Sequence, residues 1–182
     1  MHEVMKINES KYAQIEDQES VADILGISAV LAQDMNSKRM NGFAFDMDCM
    51  ASSEGDTGPY PQYSHARLCS NIRKATMSTS ITPGTLEGAN FTLLAEIHAK
   101  AILVQLAYWP KIFQTTYHKT REPVTVLTYL SKLTHVVNDS YDRLNVLNAE
   151  PEVRMARLAL YSAARTVLRN AMKLLGLTTV ES

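Results

Sequence analysis

Hydrophobic residues recur at helical spacing through the second half of the chain. After Pro123 the apolar positions fall on one face at about 3.6 residues per turn, and they are Val126, Leu127, Leu130, Leu133, Val137, Tyr141 and Leu144. The opposite side carries the polar residues Lys132, His135, Asp139, Asp142 and Arg143. A second stripe follows Pro151 and consists of Ala156, Leu160, Ala163, Ala164, Val167, Ala171 and Leu174. These patterns predict two amphipathic helices, of which the last covers 151–175 and stops at Gly176.

The first half of the chain also predicts helices, separated by polar segments. Apolar residues repeat over 20–35, where Ser20 is a candidate N-cap. Pro59 and Pro61 suit the first turn of a helix that follows Gly58. A loop is predicted over 76–90, followed by a helix over 91–109 that Pro110 interrupts or restarts. We therefore predict an all-α helical bundle in a single domain spanning residues 1–182.

Composition and charge exclude several classes of function but do not identify one. The chain has 182 residues and a formal net charge of -1, so binding to a nucleic acid would need a local basic face. Its two cysteines form no disulfide framework or zinc spacing, and no glycine pattern resembles a nucleotide-binding loop. No apolar run is long enough to span a membrane. We expect a cytoplasmic protein with no metal, no cofactor and no membrane partner.

The stretch "SSEGDTGPYPQYSHARLC", residues 52–69, concentrates candidate chemistry. Glu54 and Asp56 flank Gly55 just before a helix N-terminus, where carboxylates either stabilise the helix or act as a general base. Cys49 and Ser53 are candidate nucleophiles, although neither belongs to a catalytic triad pattern. His65 is a candidate for proton transfer, and the alternative for it is an ordinary surface or core histidine.

Two sets of aromatic and basic residues suit nucleic acid. Tyr60, Tyr63 and Arg67 lie on consecutive turns of one helix, where they could hold nucleotides or could equally be core tyrosines beside a surface arginine. On the last helix, Tyr161 lies among four arginines that share one face, and this face could bind phosphates while the ring stacks on a base. These arginines are Arg154, Arg157, Arg165 and Arg169. The alternative is an ordinary solvated face balanced by nearby glutamates.

Long motifs resemble eukaryotic arginyl-tRNA synthetases over nearly the whole chain. They occur in the order found in that family: "VADILGISAVLAQDMNSKRMNGFAFDMD", "EGDTGPYPQYSHARLCS", "EPVTVLTYLSKLTHVVNDSYDRL" and "ARLALYSAARTVLRNAMKLLGLTTVE". The resemblance implies the helical anticodon-binding domain of a class I synthetase over 51–182, with 1–50 resembling the end of the catalytic region. The motifs for aminoacylation are absent, so we do not expect this chain to charge tRNA by itself.

The resemblance also implies which residues touch tRNA. In the family, the turn before "GPY" meets the anticodon arm, and its positions here are Ser53, Glu54, Gly55, Asp56 and Thr57. The second tyrosine of "GPYxQY", the arginine four residues later and the tyrosine of a "YD" pair touch anticodon-loop nucleotides. Those positions correspond to Tyr63, Arg67 and Tyr141.

Departures from the family cluster around the same turn. Cys49, Ser53, Pro61 and Ser64 stand where the family has arginine, phenylalanine, leucine and alanine. With these changes the chain resembles the fungal arginine-containing cyclodipeptide synthases. That resemblance implies an aminoacyl-tRNA-dependent transferase that joins arginine from arginyl-tRNA to a residue from a second aminoacyl-tRNA or amino acid.

Three functions therefore remain open. As an enzyme of secondary metabolism, the chain would make a diketopiperazine, using Glu54, Asp56 or His65 for proton transfer and Ser53 or Cys49 for an acyl-enzyme. As a binding module, it would hold tRNA(Arg) without catalysis and regulate or assemble with arginyl-tRNA synthetase. As a structural protein, it would be a degenerate duplicate held in a complex by its apolar helix faces.

Overall fold

Helices make up most of the chain that the structure describes. The computed structural model describes residues 1–42, 46–47, 50, 52, 55, 57–78, 86 and 88–181. Its α-helices are α1 His2–Lys6, α2 Glu9–Tyr12, α3 Gln18–Met35, α4 Pro59–Ser78, α5 Ile97–Thr115, α6 Pro123–Ser140 and α7 Pro151–Leu174. Within the described ranges no residue lies in a strand, so the predicted all-α class is confirmed.

The helix boundaries follow local capping chemistry. Pro123 and Pro151 occupy the first turns of α6 and α7, as predicted, because proline lacks the N–H that would be unpaired there. After α7, Gly176 takes a left-handed φ of 77°, which confirms the predicted stop. Ser20 was the wrong cap for α3: Asp17 is the N-cap, and its side chain accepts a hydrogen bond from the Ser20 N–H.

The segment around α5 differs from the prediction of one helix over 91–109. A short 3₁₀ turn over Phe91–Leu93 is capped by Asn90, and α5 begins only at Ile97. Pro110 neither ends nor restarts α5, which runs through it to Thr115. The neighbouring side chains of Trp109 and Ile112 pack against the core, and we infer that this packing offsets the missing proline hydrogen bond. One π-helical turn then follows over Thr116–Thr120.

The core lies where α4, α5, α6 and α7 pack together, with α3 against α4 and α6. Of the seven residues predicted for one face after Pro123, six are buried and Tyr141 is partly buried. Tyr141 and Leu144 lie just after the end of α6. The predicted stripe of α7 is partly wrong, because Ala163 and Leu174 are exposed. The buried side of α7 includes residues outside that stripe, namely Leu158, Ala159, Tyr161, Leu168 and Met172. This wider apolar face lets α7 contact α4, α5 and α6 at once.

Two features of α4 join it to the rest of the fold. Gly58, just before α4, approaches the backbone of α3 so closely that a Cβ there would lie 2.7 Å from the Ala29 nitrogen. Gln62, in the first turns of α4, is 1% exposed and bonds to both α3 and the segment after α7. Gly58 is therefore held against α3, and the C-terminal segment is held against α4. Among the described residues, none of the helices is long and apolar enough to cross a membrane.

Candidate nucleic-acid interface

Two tyrosines and an arginine form a stack at the junction of α4, α6 and α7. The rings of Tyr161 and Tyr141 are stacked with centroids 5.6 Å apart and planes 26° apart. The guanidinium carbon of Arg67 lies 3.9 Å from the centroid of the Tyr141 ring, within cation–π range. Since Tyr161 is fully buried and Arg67 is exposed, the stack runs from the core to the surface. The guanidinium is its outermost layer.

Hydrogen bonds hold the inner layers of this stack in place. The Tyr161 hydroxyl lies 2.9 Å from the Ser140 hydroxyl oxygen, and the Tyr141 hydroxyl donates to the backbone carbonyl of Ser64 at 3.5 Å. Burial raises the pKa of both tyrosines, so both remain neutral at physiological pH. The possibility that Tyr161 stacks on a base does not fit the structure, because its ring is enclosed in the core. Its contact is with Tyr141.

Polar side chains continue from the stack into a cleft of about 290 Å³ between α4 and the segment after α6. Alongside Arg67 and Tyr141, the polar residues that line it are Ser70, Asn71, Lys74 and Asn145. The members from α4 occupy positions i, i+3, i+4 and i+7, so they share one face of that helix. Sequence reasoning singled out Arg67 but missed Ser70, Asn71 and Lys74, which the same helical spacing could have identified. The cleft combines two cations with amide groups and a ring.

The other predicted tRNA-binding residues of α4 lie close to this cleft in sequence but differ in environment. Tyr63 is 47% exposed and lies one turn before Arg67. Tyr60 is partly buried, and its hydroxyl oxygen lies 3.3 Å from Nδ1 of His135 on α6. In the preceding turn, Gly55 is exposed with a φ of 79°, and the Thr57 hydroxyl donates to the Ser52 carbonyl at 2.7 Å. The Tyr60 contact joins α4 to α6, and the Thr57 contact lies just before α4.

The four arginines of α7 do not form one solvated basic face. Arg157 forms an ion pair with Glu96 and donates from Nη1 to the Asn145 carbonyl at 2.6 Å. This pairing lowers the pKa of Glu96, which stays ionised. Arg154 donates to the Ala149 carbonyl at 2.9 Å. Both side chains are partly buried and tie α7 to the segment before it, so they leave only Arg165 and Arg169 of the predicted set in a second cleft.

A larger cavity of about 800 Å³ lies on another part of the surface, where α5, the start of α6 and the end of α7 meet. Its lining is mainly apolar and aromatic, with Phe113, Tyr117 and Leu174 among the residues. An apolar lining suits hydrophobic contact more than phosphate or base edges. We therefore place the candidate interface at the smaller polar cleft.

The residues predicted for catalysis are not assembled into a site within the described chain. Cys49, Ser53, Glu54 and Asp56 lie outside the described residues. His65 is 1% exposed, and its Nδ1 donates to the Val180 carbonyl at 2.9 Å. This geometry fits the core-histidine alternative. No group of three or more metal-ligating side chains occurs among the residues that the structure describes.

Because the imidazole of His65 is buried, we expect the free energy of unfolding to fall in acid. Burial lowers its pKa below the ordinary value of 6.5; Arg165 and Arg169 act in the same direction, and the Val180 hydrogen bond and Glu181 oppose it. Because the unfolded chain then binds a proton more readily, this contribution is complete above pH 6.5 and is lost as the pH falls below it. His65→Asn keeps a donor for Val180 but cannot titrate.

Urea denaturation at about pH 7.5 and about pH 5.5 measures this contribution. We expect the wild type to lose more of its free energy of unfolding between the two values than His65→Asn does. Equal losses for the two proteins would contradict the assignment.

The sequence of this chain matches a known family of domains and several known proteins. The profile of the "DALR anticodon binding domain" matches residues 61–182, which include the stack, the cleft and α7. The cytoplasmic arginine--tRNA ligase of Saccharomyces cerevisiae is 54% identical over 181 residues, and the probable cytoplasmic enzyme of Schizosaccharomyces pombe is 47% identical. Both matches cover 100% of this chain but only 29% and 28% of those proteins.

Solved structures agree with the sequence matches. The arginyl-tRNA synthetase of Thermus thermophilus superimposes with a TM-score of 0.85 at 25% identity, over 98% of this chain and 30% of that one. The chain thus spans less than a third of the length of these relatives. The family profile, by contrast, covers well over half of this chain. This chain belongs to the DALR anticodon-binding domain family.

Proposed function

We propose that this chain binds the anticodon arm of an arginine-accepting tRNA and that its role is recognition. The stack of Tyr161, Tyr141 and Arg67 carries this proposal, because it presents a fixed guanidinium at the surface of the cleft. Unpaired bases stack on guanidinium planes as well as on aromatic rings. A guanidinium already held on a ring loses little conformational freedom when a base packs on its other face.

The other groups in the cleft suit the remaining parts of a nucleotide. Lys74 lies two turns after Arg67 on the same face and supplies a positive charge for a backbone phosphate. Asn71 and Asn145 carry amides that can both donate to and accept from base edges. With a formal net charge of -1, the whole protein does not attract RNA, so affinity arises from this local arrangement.

The names of the relatives support the choice of RNA. They are arginine--tRNA ligases, and this chain matches under a third of their length, within the region that includes the anticodon-binding domain. The proposed partner is accordingly tRNA(Arg), charged or uncharged. A physical association with arginyl-tRNA synthetase is part of the same proposal.

The cyclodipeptide synthase hypothesis stays a prediction that no contact among the described residues supports. It requires a base and a nucleophile near an aminoacyl ester, and His65 is enclosed beneath the Val180 carbonyl. The other candidates, Cys49, Ser53, Glu54 and Asp56, lie outside the described residues. Binding of the anticodon arm explains the stack without a second aminoacyl-tRNA, and for this reason it is the function proposed.

Removal of the Arg67 guanidinium tests the proposal. We expect Arg67→Gln to weaken binding of a fluorescent tRNA(Arg) anticodon stem–loop about tenfold, equivalent to about 1.4 kcal/mol, because the outer layer of the stack and its charge are lost. Fluorescence anisotropy at fixed salt gives the Kd. Arg67 is exposed, so this variant should keep the fold, which thermal unfolding verifies.

Lys111→Gln is the matched control, since it also removes one positive charge but lies exposed on α5. We expect its Kd to stay within about twofold of the wild type, because an exposed charge outside the site contributes little. A wild type that binds the arginine stem–loop no better than one with an unrelated anticodon, or equal effects of both substitutions, would refute the proposal.

A further inference from the structure

A second cleft, of about 410 Å³, lies between α4 and α7 and is bordered by the C-terminal segment. Three arginines line it: Arg73 from α4, and Arg165 and Arg169 from α7. The one carboxylate among its described lining residues is that of Glu181. Three positive charges therefore face a single negative one, and this part of the surface attracts anions although the chain as a whole does not.

The floor of this second cleft contributes no charge. His65 is buried and neutral, because burial lowers its pKa. Burial raises the pKa of the Cys69 thiol, so that group stays protonated and is uncharged as well. The arginines and Glu181 thus determine the electrostatic character of the cleft.

Glu181 is held loosely against these arginines. Its backbone carbonyl accepts a hydrogen bond from Arg73 at 2.9 Å. Its carboxylate, however, lies 3.8 Å from Nη2 of Arg169, and both side chains are about three-fifths exposed, at 59% and 61%. An ion pair this long and this exposed contributes little to stability. Another anion could replace the carboxylate while the backbone contact remains.

The two clefts lie on the same helix, within reach of one bound molecule. Arg67 and Arg73 are six residues apart on α4, which separates them by roughly 9 Å along the axis and about 120° around it. Ser70 and Lys74 lie between or beside them on the outward side of α4. An RNA strand that enters the first cleft and crosses this outward side reaches the arginines of the second.

We infer that the second cleft binds a backbone phosphate of the same RNA, and that the Glu181 carboxylate occupies the phosphate position when RNA is absent. This inference rests on the proposed function. Guanidinium groups bind phosphate by paired, charge-assisted hydrogen bonds, which the long contact to Glu181 does not satisfy. The carboxylate acts as an internal competitor that lowers affinity until RNA displaces it.

Substitutions that each remove one charge from the second cleft separate these roles. With the tRNA(Arg) anticodon stem–loop as probe, we expect Glu181→Gln to tighten binding about threefold, because the competing charge is removed while the backbone carbonyl still accepts from Arg73. Glu152→Gln removes an exposed carboxylate from the first turn of α7 and is its control, with an unchanged Kd expected. Arg169→Gln should weaken binding about fivefold.

Salt dependence reports the phosphate contact directly. Loss of one phosphate contact reduces the magnitude of the negative slope of log K against log salt concentration by about 0.7 to 0.9. We expect this reduction in the double variant Arg73→Gln/Arg169→Gln. Arg67→Gln in the first cleft serves as the independent measure of the proposed function. Thermal unfolding confirms that each variant is folded.

The outcomes are distinguishable. In one outcome the wild type binds the stem–loop and Arg67→Gln weakens binding, but Glu181→Gln has the same Kd as Glu152→Gln and the double variant has the salt dependence of the wild type. The second site is then overturned and the proposed function stands. If the wild type does not bind the stem–loop, both fail. Tighter binding by Glu181→Gln together with the smaller slope supports the inference.

Discussion

Gly58→Ala should lower the free energy of unfolding by about 3 kcal/mol, at the upper end of the usual cost of overpacking. A Cβ at this position would lie 2.7 Å from the Ala29 nitrogen and closer still to the carbonyl carbon and oxygen of Ser28. All three atoms belong to the backbone of α3, so no side-chain rotation can relieve the contact. Either α3 or the start of α4 must move.

Urea denaturation followed by circular dichroism measures this loss. Gly88→Ala is the matched control, because a Cβ there meets nothing within 4 Å. Its free energy of unfolding should change by no more than about 0.5 kcal/mol. If the two variants had the same denaturation midpoint, the close approach of Gly58 to α3 would not describe the protein in solution.

Gln62→Ala should destabilise the fold by about 3 kcal/mol, since one buried amide serves three partners. Its Nε2 donates to the Ser28 hydroxyl at 2.9 Å and to the Thr178 carbonyl at 2.6 Å, and its Oε1 accepts from the Val180 N–H at 3.0 Å. Alanine leaves all three groups without that partner, and two of them belong to the buried residues Ser28 and Val180. The C-terminal segment loses its main attachment to α4.

Two measurements distinguish this effect from a general loss of packing. Gln114→Ala removes an amide of the same size from an exposed position on α5, and we expect a change within about 0.5 kcal/mol. Hydrogen exchange at the Val180 amide should accelerate in Gln62→Ala more than exchange in the core of α6, because only the C-terminal segment loses a direct bond. Uniform acceleration along the chain would contradict this explanation.

The sequence predicted helices best where apolar residues recurred at helical spacing over several turns. Over α6 the periodic positions face the core, and the prolines and Gly176 mark helix ends because their backbone chemistry is local. The prediction failed at Pro110, where the packing of Trp109 and Ile112 accompanies an unbroken helix. The predicted stripe also did not include Tyr161, which lies beside it and is buried because α7 contacts three helices at once.

The candidate site was predictable only in part. The spacing and the motif that singled out Arg67 identified one residue of the α4 side of the first cleft. Tyr141 came from that resemblance alone, and the contact of its ring with Arg67 joins residues 74 positions apart in the chain. The second cleft depends on Glu181 meeting α4 and α7, which no local spacing indicates.

By itself the sequence determined the all-α class, the family resemblance and the ends of the later helices, because periodicity, proline and glycine act over a few neighbouring residues. Tertiary structure decided which polar groups are available. It enclosed Tyr161 and His65, paired Arg157 with Glu96, and left Arg67 at the surface. The physical reason is that exposure and charge pairing depend on segments distant in sequence, which come together only when the helices pack.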